Sequence, residues 1–268
     1  VGKQKILTAE GPRLGVQTTR VVVARRVRAG EHRFFCSEGG FGAPLLLLHG
    51  LGASSRWWYS IFPELTSESF RIVAPDLPGF GRSGGRALSV TEAARAVVEL
   101  ADRLGMAQFF LCGHSMGGAI AAQVAADVGR RVRRLVLMDS AGIPGRRSAR
   151  WLGRLIQPWS WCPPGFYGTL LGDLVRARPR VLIESAHHLR RYDIRPVLKL
   201  VRAPTLIVWG ERDRLTPPDH GRVMLEQLEN GRLEVIERAR HLPMVSHPEL
   251  TSRLIVDFFK QDPLRGRS

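Results

Sequence analysis

Cysteine is scarce in this 268-residue chain: Cys36, Cys112 and Cys162 are too few for a disulfide framework and show no metal-ligand spacing. That excludes a disulfide-stapled scaffold and a thiolate metal site, no cofactor is implied, and a reducing, cytoplasmic setting is expected. Long apolar runs are missing as well. None approaches the roughly 18 residues needed to span a bilayer, and the segment from Val1 lacks a charged start, an apolar stretch and a cleavage-like site. A soluble protein is expected, a monomer or a homodimer. Internal repeats and low-complexity segments are also absent, and the length permits one or two domains, of which one domain with an insertion is the economical reading. Lysine is rare: Lys3, Lys5, Lys199 and Lys260 are four of 40 basic residues, so a net charge of +16 rests almost wholly on arginine. Such an excess suits nucleic acid, an anionic surface or an anionic substrate. The arginines are scattered and no nucleic-acid motif accompanies them, so a small-molecule substrate is expected and a nucleic-acid partner is not.

Among the features that are present, the most informative is Gly113-His114-Ser115-Met116-Gly117-Gly118. It follows the apolar run Phe109-Phe110-Leu111-Cys112 and precedes the small residues Ala119-Ile120-Ala121-Ala122. This is a G-x-S-x-G elbow in a strand-turn-helix context. A serine hydroxyl is a poor nucleophile unless it is lifted clear of the backbone beside a base, and glycines on either side remove side chains that would crowd so sharp a turn. An acid and a base follow in order. Asp213 lies in Gly210-Glu211-Arg212-Asp213, just beyond the apolar run Thr205 to Trp209, and His241 lies beyond the run Leu233 to Ile236. Ser115, Asp213 and His241 are therefore the candidate nucleophile, acid and general base. Asp139, which ends the run Leu135 to Met138, competes for the acid role, but the motif around Asp213 favours Asp213. His114 is expected to turn away from the site, His49 to shape a loop, Asp76 to support a turn, and His187, His188 and His247 to be structural or solvated.

The apolar runs Leu45 to Leu48, Arg71 to Ala74, Phe109 to Cys112, Leu135 to Met138, Thr205 to Trp209 and Leu233 to Ile236 lack polar alternation, as strands buried on both faces do. Val21 to Arg28 and His32 to Cys36, joined around Gly30, read as an opening hairpin. Ser89-Val90-Thr91-Glu92 has capping-box spacing ahead of a helix running to Gly105, and Pro248 to Phe259 reads as a closing helix.

With Leu47-Leu48-His49-Gly50-Leu51-Gly52 and Asp76-Leu77-Pro78-Gly79-Phe80-Gly81-Arg82-Ser83 added to the elbow, Asp213 and His241, the chain resembles the α/β-hydrolase superfamily from about Arg20 onward. The resemblance implies an α/β fold: a central, mostly parallel eight-stranded sheet flanked by helices, with a small helical cap inserted after the sixth strand. The core would comprise residues 1–142 and 196–268 and the cap residues 143–195. It also implies an oxyanion hole from the backbone amides of Leu51 and Met116. A first cap helix, Arg146 to Gln157, places Trp151, Leu152, Leu155 and Ile156 opposite Arg147, Arg150 and Arg154. Packing over the pocket is the preferred reading of this pattern, with weak interfacial association the alternative. Trp151, Trp159, Trp161, Phe166 and Tyr167 are expected to line or cover an acyl pocket.

Serine at position 115 excludes the relatives that use aspartate there to form an alkyl-enzyme ester. The expected activity is that of a carboxylic ester hydrolase for small to medium acyl esters. A carbon–carbon bond hydrolase of ring-cleavage products or a lactonase would use the same groups, although the former commonly carries tryptophan after the histidine, where this chain has Leu242. A receptor-like protein that retains the triad is the alternative of another class.

Overall fold

The computed structural model describes residues 4–7, 22–144 and 162–261. The apolar runs become the buried centre of a single sheet. Its strands are β1 (Gln4–Leu7), β2 (Val23–Ala29), β3 (His32–Gly39), β4 (Ala43–Leu48), β5 (Phe70–Asp76), β6 (Phe109–His114), β7 (Val132–Met138), β8 (Thr205–Gly210) and β9 (Gly231–Ile236). They lie in the order β1-β9-β8-β7-β6-β4-β5-β3-β2. Only the β2–β3 and β3–β5 pairings are antiparallel. The eight expected strands are all present, and β1 adds a ninth, parallel to β9.

Continuous apolarity has its physical reason in the two faces. On β4, Leu46 and Leu48 enter one core layer and Leu45 and Leu47 the other; on β8, Ile207 and Trp209 face opposite Leu206 and Val208. A strand covered on both sides has no place for alternating polar residues. One layer is closed by α2 (Val90–Arg103) and α3 (Met116–Val128), the other by α1 (Phe62–Ser67) and α9 (Pro248–Lys260). The capping box on α2 forms as expected. Ser89 Oγ accepts the Glu92 amide, and the Glu92 carboxylate accepts the Ser89 amide at 2.8 Å.

Between β7 and β8 the described residues form α4 (Tyr167–Arg176), α5 (Pro179–Arg191) and α6 (Arg195–Leu198), with no strand among them. The expected helix over Arg146 to Gln157, with Trp151, and the neighbouring Trp159 and Trp161 lie outside the described residues. Several hydrogen bonds hold the described part of this insertion to the rest of the fold. At its base, the Ile194 amide donates to the Gly142 carbonyl at 2.9 Å. Further out, Asp173 on α4 accepts hydrogen bonds from Ser54 Oγ at 2.8 Å and Trp57 Nε1 at 2.9 Å, on the loop after β4. Two further short helices, α7 (Asp219–Leu225) and α8 (Pro243–Ser246), lie in the stretches that follow β8 and β9.

Candidate active site

Ser115 stands between β6 and α3 with φ 53° and ψ −117°, a conformation that L-residues avoid and that costs of order 1–3 kcal/mol. The surrounding backbone holds it there. The Ser115 amide donates to Met138 O, and its carbonyl accepts from Ala141 and Gly118, each at 3.0 Å. The glycines of the motif serve close approach. A Cβ on Gly117 would sit 2.6 Å from the His49 carbonyl oxygen, and one on Gly113 would run into Gly117 itself. Although Ser115 is the N-cap residue of α3, its hydroxyl makes no capping bond, which leaves it available to a neighbour.

That neighbour is His241. Its Nε2 lies 3.1 Å from Ser115 Oγ, and its Nδ1 lies 2.7 Å from Asp213 Oδ2. All three residues are buried. Asp213 Oδ1 accepts the amides of Leu215 at 2.7 Å and Thr216 at 3.0 Å, and the Thr216 hydroxyl donates to Oδ2 at 2.6 Å. Burial raises the Asp213 pKa, but the His241 charge and the bonds from His241 and Thr216 outweigh burial and hold the carboxyl below its ordinary value. It is thereby kept ionised beside the imidazole. A hydroxyl, an imidazole and a carboxylate in series form the arrangement by which serine becomes a nucleophile. Among the described residues, neither the Leu51 nor the Met116 amide donates to a backbone carbonyl.

The nearby candidates separate by their bonds. His49 donates from Nδ1 to Gly50 O and accepts the Leu77 amide at Nε2, both at 2.8 Å, and burial pushes its pKa down. It is a neutral strut for the loop after β4. Asp76 likewise ties loops together, accepting the Ser55 and Arg82 amides at 2.7 Å each. His114 does not bond Ser115, yet it is not idle: its Nε2–H donates to the His241 carbonyl at 2.8 Å, and its ring lies 4.8 Å from that of His241. Sequence reading missed this support because the two residues are 127 positions apart. Asp139 accepts the Gly210 amide at 2.9 Å and makes no hydrogen bond to His241, so the carboxylate on Nδ1 is that of Asp213. Asp139, Asp213 and His241 are also the described residues whose donor atoms are close enough to share a metal ion. Asp213 is engaged by the Leu215 and Thr216 amides, the Thr216 hydroxyl and His241 Nδ1, the partners of a hydrogen-bonded carboxylate rather than of a metal ligand.

The model of the alpha/beta hydrolase family matches residues 45–254, a span that includes all of these groups. The chain belongs to the alpha/beta hydrolase family. It is 31% identical over 254 residues to a pimeloyl-[acyl-carrier protein] methyl ester esterase of Yersinia enterocolitica, covering 84% of this chain and 96% of the relative. It is 25% identical over 279 residues to a 2-hydroxy-6-oxo-6-phenylhexa-2,4-dienoate hydrolase of Burkholderia cepacia, covering 90% and 96%. Among solved structures, a membrane phospholipase A described as a bacterial virulence factor aligns with TM-score 0.78 at 30% identity, over 89% of this chain and 86% of the other. Hydrolysis is the reaction class these relatives share.

Beside Met116 this α/β hydrolase has a narrow cavity with room for about one water molecule. Leu77, Phe80, Leu88 and Ile120 line it from the core, and Ser185, His188 and Leu189 of α5 close it. Phe166 and Tyr167 stand elsewhere. Both pack on the layer that contains Trp57, and the Phe166 ring meets Trp57 edge-on at 5.6 Å. His188, expected to be structural or solvated, is half-buried in the wall of this cavity.

Proposed function

We propose that this α/β hydrolase is a carboxylic ester hydrolase acting on small to medium acyl esters through an acyl-enzyme. The observation that carries the reading is the unbroken series of Ser115, His241 and Asp213 at 3.1 and 2.7 Å. His241 takes the Ser115 proton at Nε2 as the hydroxyl attacks the acyl carbonyl, while Asp213 keeps the Nδ1-protonated tautomer and stabilises the imidazolium. The oxyanion is received by the amides of Leu51 and Met116, each typically worth about 2.7–4 kcal/mol in the transition state. The alcohol departs with the proton from His241. A water, deprotonated in turn by His241, attacks the acyl-enzyme, and release of the acid returns the proton to Ser115.

The segment 143–195 serves as a lid, with α5 over the cavity beside Met116. The apolar side chains of Leu77, Phe80, Leu88 and Ile120 beside Met116 support an apolar acyl group rather than a charged one near Ser115. The Yersinia relative, named for methyl ester hydrolysis, supports the ester reading; the Burkholderia relative supports a second, cleavage of a carbon–carbon bond by the same residues. Initial rates of wild type and Ser115→Ala on a chain-length series of p-nitrophenyl esters, with a dienone and a lactone alongside, test both. Turnover of short esters that is lost in a folded Ser115→Ala is the expected result. Consumption of the dienone or lactone with esters ignored overturns the substrate class and keeps the series.

A further inference from the structure

Asp139 takes no part in the steps just described, yet its carboxyl is buried against the residues that do. One oxygen of Asp139, one of Asp213 and a ring nitrogen of His241 all lie within 4.8 Å of one another. The Asp139 backbone is held at φ +42°, outside the usual range for an L-residue, by its amide bond to Val208 O at 3.0 Å. Its two oxygens are treated differently. Oδ1 accepts the Gly210 amide, whereas Oδ2 is buried and receives no donor. An ionised Asp139 would leave Oδ2 without any partner and would stand beside a second carboxylate, an arrangement in which like charges sharing a site cannot both persist.

The lone pairs of Asp213 show where a proton on Asp139 would go. Oδ1 of Asp213 is filled by two amides, and Oδ2 takes His241 Nδ1–H, leaving one position on Oδ2. The Thr216 hydroxyl occupies that position at 2.6 Å, but the same hydroxyl also lies 3.2 Å from the Asp139 carbonyl and can turn to it. The titratable groups gathered around the pair are His241, His114 and His220. Burial, then the neighbouring Asp213 charge, push the Asp139 carboxyl well above the carboxylate range, while Asp213 goes the other way.

We propose that Asp139 is a positioning residue: it stays protonated at neutral pH and donates its Oδ2 hydrogen to the Asp213 carboxylate, so that the pair carries one negative charge. The donated hydrogen bond fixes the Asp213 carboxylate toward His241 Nδ1 and lowers its basicity, which keeps the imidazole proton on nitrogen. This role in positioning rests on the ester-hydrolase reading of Ser115, His241 and Asp213; the proton itself does not.

Two measurements test it. Infrared spectra of wild type and Asp139→Asn, each labelled with ¹³C-aspartate, read the proton directly. At neutral pH wild type shows the carbonyl stretch of a protonated carboxylic acid, and Asp139→Asn lacks it; no such band in wild type overturns the proposal. The second measurement is kcat and KM for wild type, Asp139→Asn and Asp139→Ala on one ester. Asparagine keeps an oxygen for the Gly210 amide and an N–H for Asp213, so it holds the rate within about threefold, whereas alanine loses about ten- to a hundredfold, mainly in kcat. An asparagine variant that folds and loses as much as alanine shows that the charge matters, and the proposal fails. If wild type shows the band but hydrolyses no ester, the proton stands and the proposed function falls.

Discussion

Asp173 joins the insertion to the loop after β4, and removing it has a calculable effect. Its Oδ2 accepts from Ser54 Oγ and Trp57 Nε1, while its Oδ1 faces Arg56 and Arg176 at 3.9 Å each. Asp173→Ala strands both donors, and Trp57 is only 2% exposed, so water cannot replace the carboxylate. A buried donor left unpaired costs about 1–3 kcal/mol, and the serine hydroxyl can rotate where the indole cannot, so a loss of about 3 kcal/mol is expected. Asp173→Asn differs in kind. It can place its carbonyl oxygen where Oδ2 was and forfeits only the contacts with two guanidinium groups that are 33% and 45% exposed. Screened pairs of that sort contribute at most about 1 kcal/mol. The expected order is wild type, then asparagine, then alanine, with about 2 kcal/mol between the two variants. Guanidinium unfolding followed by tryptophan fluorescence, at matched m-values, reads these gaps, and urea at two salt concentrations shows the wild-type-to-asparagine gap alone shrinking with salt. Alanine and asparagine variants within about 0.5 kcal/mol of each other would refute the reasoning, because the indole would then have found another acceptor.

Three other outcomes follow from single sites. Gly117→Ala forces a methyl group against the His49 carbonyl and is expected to cost about 3 kcal/mol and to abolish fluorophosphonate labelling of Ser115, read by thermal unfolding and mass spectrometry. The Ser185 hydroxyl is buried without a partner beside the cavity, so Ser185→Ala should be neutral or stabilising, by up to about 1 kcal/mol, in denaturant unfolding. Glu92 is held at about 2 by the Ser89 amide, Arg86 and the Ser89 hydroxyl. A depressed carboxyl contributes stability that is present above its unfolded value of about 4.3 and is lost as pH falls toward 2, so unfolding midpoints of Glu92→Gln should change less than those of wild type across that window.

How much of this was legible depended on whether the signal was local. The central strands declare themselves because burial on both faces forces residues such as Leu45 to Leu48 to be apolar without interruption. The capping box of Ser89 and Glu92 is a three-residue pattern, and the order Ser115, Asp213, His241 is a property of the chain. Strand β1 escaped notice: four residues reading Gln-Lys-Ile-Leu, paired along one edge, show no such pattern. Asp173 and His114 escaped for another reason. Their partners lie 116 and 127 residues away, and nothing in either segment marks the other. Phe166 was read as lining or covering an acyl pocket, whereas its ring packs edge-on against Trp57, because which wall it meets is set by how α4 approaches the sheet. Helical spacing in the insertion does not encode that orientation.

The hydrogen bond from Ile194 to Gly142 brings the start and finish of a roughly fifty-residue excursion to the same point. Seen as a path, the chain leaves the sheet there and returns to where it left, so α6 and the strands beside it connect as they would had the detour never been made. Such a side branch can lengthen, shorten or be exchanged between genes without re-threading a strand or moving Ser115, Asp213 or His241. What must be preserved is its base, where Gly142 has no room for a side chain against Ile194, and an acceptor such as Asp173 for Ser54 and Trp57. A lineage with this layout can diversify what it admits while the reacting groups stay under separate selection, and a laboratory graft between relatives should splice at these two residues.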